Sequence, residues 1–340
     1  MGNEENGTPV ISAVNPGAAI PGGEFRIRGK GFSPVGRPRI SIGEEPAPVI
    51  IGSDSFVIAR VPEGAVVGEM RVDNGSDSSS VWICDIGLQI ADSLHPVANP
   101  AVDRYGNIYA TLSGSRGQKT AVAVYKVDLN YNVTPFVTDL MNATGLAFDH
   151  DGVLHISSRH DGIVYQAGDE GSLSIYIEGM GVASGMAFDP EGNLYVGDRS
   201  GTIFKVSLDR QIFVFTTMEP SIAAYHLAFG PDDHLYVSGP TTSSFDSVYR
   251  VTPDGEVETF YRGLGRPQGI AFDLAGNLYV AASLAGRKGV VRIDPDRKAE
   301  LFLSGPNIVG LAFTPARSMI VATNSALYRV DVDIQGRPLP

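Results

Sequence analysis

The sequence predicts an all-β protein made mainly of a six-bladed β-propeller, preceded by a separate β-domain. Three observations carry that reading. One strand–turn–strand pattern, clearest in PQGIAFDLAGNLYVAAS (267–283), recurs six times. Its copies follow one another at a nearly constant interval. The residues before position 85 lack it altogether.

The front segment comes first in the chain. PVISAVNPGAAIPGGEFRIRGKGFSP (9–34) alternates apolar and polar residues around Gly and Pro turns. RISIG (39–43), FVIARVP (56–62) and EMRVDNG (69–75) supply further strands. SSSVWICDIGL (78–88) leaves almost no linker, so the two domains are expected at a near-fixed angle, with Trp82 packed at their boundary. The only cysteine, Cys84, reads as a small buried hydrophobe.

The repeats follow. The position of the Asp in AFD is occupied by Asp103, Asp149, Asp189, Gly230, Asp273 and Thr314, in steps of 46, 40, 41, 43 and 41 residues. Four strand-like segments within such a period are the signature of a propeller blade. The D-x-x-G-N element between apolar runs is a hairpin turn in which Asp binds the turn backbone. Asp149, Asp189 and Asp273 therefore read as structural. Third strands such as GTIFKVSL (201–208) and fourth strands such as QIFVFTT (211–217) complete each unit. The last unit lacks a fourth strand, and DIGLQIADSLHPVANPAVD (85–103) has the spacing of a fourth strand leading into a first. Residues 86–91 are thus expected to pair into the last blade and close the ring, which removes exposed sheet edges.

Composition narrows the function classes. With 26 Lys and Arg against 38 Asp and Glu, the net charge of −12 argues against nucleic-acid binding. No apolar run approaches the roughly 20 residues of a membrane helix. The start MGNEENGTPV has neither the basic nor the apolar region of a signal peptide. It reads as a disordered stretch (1–7) that follows a removed signal or lipoprotein anchor, or else as the start of a protein that stays inside.

The front elements, P-x-I-x-x-V-x-P, Gly-Gly, FRIRG and GKGF, resemble the IPT/TIG family over residues 8–84. The resemblance implies an immunoglobulin-like sandwich acting as spacer or adhesion module. The sentence P-x-G-I-A-F-D-x-x-G-N-L-Y-V-A resembles NHL-repeat propellers over residues 85–340. It is also similar to the gluconolactonase group and, more distantly, to the NHL-type amidating lyase. In those enzymes the variable residue before the repeat glycine holds a divalent cation through carboxylates and Asn, or zinc through His.

Here those channel-mouth positions are Ala98, Thr144, Ser184, Tyr225, Gln268 and Val309, without a carboxylate or imidazole. Calcium needs several oxygen ligands including carboxylates, and zinc needs N or S donors. No metal, cofactor or catalytic residue is therefore expected. His226, beside Tyr225, takes a glycine position, and a trio of His226, His160 and Asp161 has no supporting spacing. The clustered His and Glu of virginiamycin-type lyases are also missing.

The loops between second and third strands share one face around the channel. They and one neighbouring connection carry Arg116, Lys119, Arg159, Arg199, Arg266, Arg287 and Lys288 against Asp161, Asp198 and Asp246. Such a local reversal of sign suits an anionic partner, since Arg pairs bidentately with carboxylate or sulfate. Tyr225, His226, Phe245 and Gln268 are expected to add stacking and polar surface. The reading is a non-enzymatic, extracytoplasmic binding protein for a glycan, protein or peptide ligand. Its alternative is a metal-dependent, lactonase-like hydrolase or lyase using loop residues such as His160 and Asp198.

Overall fold

The computed structural model describes residues 7–33, 36–114 and 119–337. Most of the expected disordered start, and Arg116, lie outside them. Every regular element among the described residues is a β-strand.

In the front segment, strands Val10–Asn15, Glu24–Lys30, Phe56–Arg60 and Val49–Gly52 form one antiparallel sheet. Glu45–Ala47, Arg39–Ile42, Glu69–Asp73 and Trp82–Ile83 form a second. Both alternate. Phe25, Ile27, Val57 and Ala59 point into a core shared with Ile40, Ile42, Met70 and Val72, while their strand neighbours face solvent. Trp82 packs against this core, and Cys84 is buried beside it, its thiol pushed up to about 12 by burial.

Five repeats form antiparallel four-stranded units in chain order, the fourth and fifth joined into one sheet where Leu264 pairs with Leu284. The third, for example, runs Ala183–Phe188, Leu194–Asp198, Thr202–Val206 and Ile212–Thr217. The sixth unit takes its outer strand from upstream: Leu88–Ala91 pairs antiparallel with Leu327–Val330. Only part of the expected 86–91 segment does this. Asp85–Ile86 instead runs parallel to Ala18–Ala19, which in turn runs parallel to Leu303–Ser304 at the outer edge of the fifth unit. The break falls at Gly87, where a Cβ would press on Ile20 and Val330.

Two contacts repeat from unit to unit. First, the Tyr of N-L-Y-V stands edge-on between an aromatic ring of its own outer strand and the Phe of the next unit's A-F-D. Tyr236 lies 5.0 Å from Phe260 and 4.8 Å from Phe272, and Tyr279 lies 5.2 Å from both Phe302 and Phe313. Edge-to-face geometry sets positive ring edges against negative faces. Second, inner strands approach closely at the repeat glycines. A Cβ on Gly145 would overlap the Ser184 carbonyl, and one on Gly269 the Asn99 side chain. Asn99, at the glycine position of the first unit, donates to the Ile270 carbonyl (2.8 Å) and accepts from the Leu311 amide (3.1 Å). It thereby ties the first unit to the fifth and sixth.

The turn chemistry is as the spacing requires. Asp273 accepts the backbone and side-chain amides of Asn277 (2.8 Å each) and the Tyr279 hydroxyl (3.1 Å). Asp189 binds Asn193 in the same way.

Gly145→Ala is expected to cost about 1–3 kcal/mol through overpacking. Gly17→Ala, where an added Cβ meets nothing within 4 Å, should stay within about 0.5 kcal/mol of wild type. Urea denaturation of the two variants checks the contrast.

Candidate functional site

The variable positions lie on or just before the innermost strands, and the structure uses most of them internally. Thr144 donates to the Asn142 carbonyl (3.0 Å). Ser184 donates to the Gly197 carbonyl (2.7 Å) and accepts the Tyr225 amide (3.2 Å). Tyr225, 3% exposed, packs among Tyr195, Leu227 and Val237 and gives its hydroxyl to the Glu219 carbonyl. Ala98 is buried, and Gln268 and Val309 are half-buried.

Tyr225 and His226 were expected as stacking surface, and the structure corrects both. An inner strand is flanked by neighbouring units on both sides, so its side chains are enclosed. His226 is buried, with no partner for Nε2 among the described residues. Burial lowers its pKa to about 4. His155 stands where four of the other units carry Tyr, edge-on to Tyr176 (4.6 Å) and Phe188 (4.9 Å). Burial lowers its pKa too, against the opposing pull of Asp149.

Asp198 is also consumed: its carboxylate accepts the Val182 amide (3.0 Å) and the Ser200 hydroxyl (2.5 Å). Asp246 accepts the Thr241 hydroxyl (2.6 Å) at one oxygen, and its other oxygen is buried without a described partner. Asp161 accepts the Tyr165 hydroxyl (2.8 Å), with His160 exposed beside it. His160 and His226 are thus an exposed loop residue and a buried strand residue. Among the described residues, no three His, Cys, Asp or Glu side chains converge to hold one ion.

The loop cations divide. Lys119 pairs with Asp139 (2.7 Å). Arg287 reaches the front segment, donating to Asn15 Oδ1 (2.6 Å) and to the Asn15 carbonyl (2.9 Å). This corrects its assignment to the ligand-facing loops. Arg159 and Arg199, at matching positions of adjacent units, are close enough that the Arg199 charge adds to burial in lowering the Arg159 pKa. Arg159 is anchored on the Ser113 hydroxyl (3.1 Å) and the Gly114 carbonyl (3.4 Å). Arg199 is exposed and touches the Ser221 carbonyl through Nε (3.4 Å). Neither has a carboxylate within 4 Å among the described residues. Phe245 is exposed in the fourth unit's loop, and Arg266 and Lys288 are exposed as well.

No protein-family model matches the sequence, and no curated protein matches it. Solved structures do. A gluconolactonase from Xanthomonas campestris superposes with a TM-score of 0.61 at 15% identity, over 76% of this chain and 90% of its own. An auxiliary nutrient binding protein from Bacteroides ovatus gives 0.55 at 15% identity, over 95% and 98%. Virginiamycin B lyase from Staphylococcus aureus gives 0.51 at 12% identity, over 96% of each chain. At these identities the likeness is one of fold: this is an all-β protein of propeller type.

Acid should weaken the fold through His226. The unfolded imidazole titrates near 6.5 and the folded one near 4, so between those values the unfolded chain binds the extra proton. Stability is then fully retained above pH 6.5 and falls as the pH drops through that window. Relative to wild type, His226→Gln should lose less stability between pH 7 and pH 4.5, read from urea midpoints at the two values.

Proposed function

We propose that this chain is a non-catalytic binding protein. In this reading it is a closed six-bladed propeller (85–337) that presents Arg159 and Arg199 to an anionic ligand, with an immunoglobulin-like domain (8–84) fixed to its side. The observation that carries the reading is the adjacency of these two cations without a described carboxylate partner, in a chain of net charge −12. Two guanidinium groups in fixed register bind a carboxylate or sulfate in bidentate fashion. Anchoring Arg159 on Ser113 and Gly114 lowers the entropy lost on binding.

Closure is supported by the Leu88–Ala91 pairing and by the reach of Asn99 to the fifth and sixth units. The sandwich is supported by two four-stranded sheets around one core. Ligand binding as the role accords with the nutrient-binding neighbours, two of them Bacteroides proteins matched over nearly their full length. An extracytoplasmic setting goes with that analogy. No described helix is long and apolar enough to cross a membrane.

The lactonase-like alternative draws on the gluconolactonase neighbours. It requires carboxylates or imidazoles converging on one ion. The hydroxyls of Thr144, Ser184 and Tyr225 are instead spent on backbone carbonyls.

Titration calorimetry with galacturonic-acid oligomers and with neutral galactose oligomers tests the reading. Binding should favour the acidic series. Arg199→Glu combined with Arg159→Gln should weaken it at least tenfold, about 1.4 kcal/mol, with the thermal midpoint little changed. Equal affinity for both series, or no effect of the substitutions, would contradict it.

A further inference from the structure

A second group of cations lies on the front segment. Strand Glu24–Lys30 buries Phe25 and Ile27 in the core and turns Arg26, Arg28 and Lys30 outward. Alternate residues of a strand share one face, so three cations stand in a row about 14 Å long. Across the four strands of this sheet, VISAVN, EFRIRGK, FVIAR and VIIG, the charged residues are Arg26, Arg28, Lys30, Arg60 and one carboxylate, Glu24. Arg60 already engages Glu24 (3.3 Å). The other sheet of the same segment differs: Arg39 pairs with Asp73 (2.7 Å), and Glu45 and Glu69 accompany Arg71. The excess is therefore a property of one face.

The face extends onto the fifth unit. Asn15 lies opposite Arg26 in register, and Arg287 bonds Asn15. The Arg26 charge acts on Arg287, with Lys288 exposed next to it. Arg28 lies 5.5 Å above the ring of half-buried Phe56, so the row includes an aromatic surface. Asp54 stands nearby, and its oxygens are taken by the Gly31 and Ser33 amides (3.3 and 3.2 Å).

We propose that this face, centred on Arg26 and Arg28 with Phe56 opposite Arg28 on the neighbouring strand and Arg287 at its margin, is a docking surface for an extended anionic polysaccharide. Charge complementarity selects an anion, and a linear row selects a chain over a single charged group. An aromatic ring packs against a sugar's apolar face. A nucleic acid, with a charge every ~1.7 Å of duplex, would carry far more charge past a protein of net −12. The proposal does not rest on the role given to Arg159 and Arg199.

The experiment uses the full chain and three immobilised probes: polygalacturonate, vesicles with anionic lipid, and duplex DNA. Wild type should retain most strongly on polygalacturonate, with salt-dependent affinity. Arg26→Glu with Arg28→Glu should reduce that affinity at least tenfold, and the milder Arg26→Gln with Arg28→Gln should lower the salt slope by about 2. Both pairs point to solvent, and an unchanged thermal midpoint shows that folding is intact. The Arg159 and Arg199 double variant should keep the polymer affinity within about twofold. Undiminished binding in the folded Arg26 and Arg28 variants overturns the proposal. So does preferred retention on vesicles or DNA, which assigns the face to another partner.

Discussion

The packing of unit against unit depends on one contact made five times: an aromatic or imidazole ring on the second strand of one unit held edge-on against the first-strand Phe of the next. Tyr109, His155, Tyr195, Tyr236 and Tyr279 meet Phe148, Phe188, Phe229, Phe272 and Phe313 in this way. Each such pair contributes roughly 0.5–1.5 kcal/mol beyond the area it buries. It also fixes the rotation of one sheet relative to its neighbour. At the sixth-to-first junction Ile320 and Val102 lie in one aliphatic core instead. Close contacts at Gly145 and Gly269 add to this packing between units. The channel mouth is accordingly built of spent hydroxyls and enclosed rings, and chemistry available to a partner moves outward to the loops.

The front segment is joined to the propeller by backbone rather than by side chains alone. Ala18–Ala19 sits between Asp85–Ile86 and Leu303–Ser304, with the Ile20 amide on the Ser304 carbonyl (3.0 Å) and the Gly87 amide on the Ala19 carbonyl (2.8 Å). Ile20 is buried in a core with Leu303, Ile308 and Tyr328. This pairing covers part of the outer edge of the fifth unit, which a bare strand would leave open to association. Nearby, Asn15, which lies opposite Arg26, is bonded by Arg287.

Much of this was legible in the sequence, and the reasons are local. The Asp turns, the period and the upstream outer strand all follow from residues near one another or repeated at a constant step. That Arg159 and Arg199 lie in equivalent loops was legible, whereas their proximity was not, because it depends on how neighbouring units pack. What escaped depends on how units meet. Tyr225 and His226 look like channel-mouth groups from their position in the sentence, yet neighbouring units enclose them. Arg287 resembles any loop cation until Asn15 is brought to it across 272 residues. The two-residue parallel strand Ala18–Ala19 carries no periodic signal at all. The FRIRGK stripe was visible as alternation, but its lack of neutralising carboxylates emerged only once its neighbours in the sheet were known.

The proposed role is recognition rather than turnover. Its most direct test is the metal content of the purified chain after dialysis against metal-free buffer, measured together with hydrolysis of sugar lactones. The account predicts substoichiometric calcium, zinc and magnesium, and no lactone hydrolysis above background with any of them restored. One tightly held divalent ion per chain, together with metal-dependent hydrolysis, would contradict it.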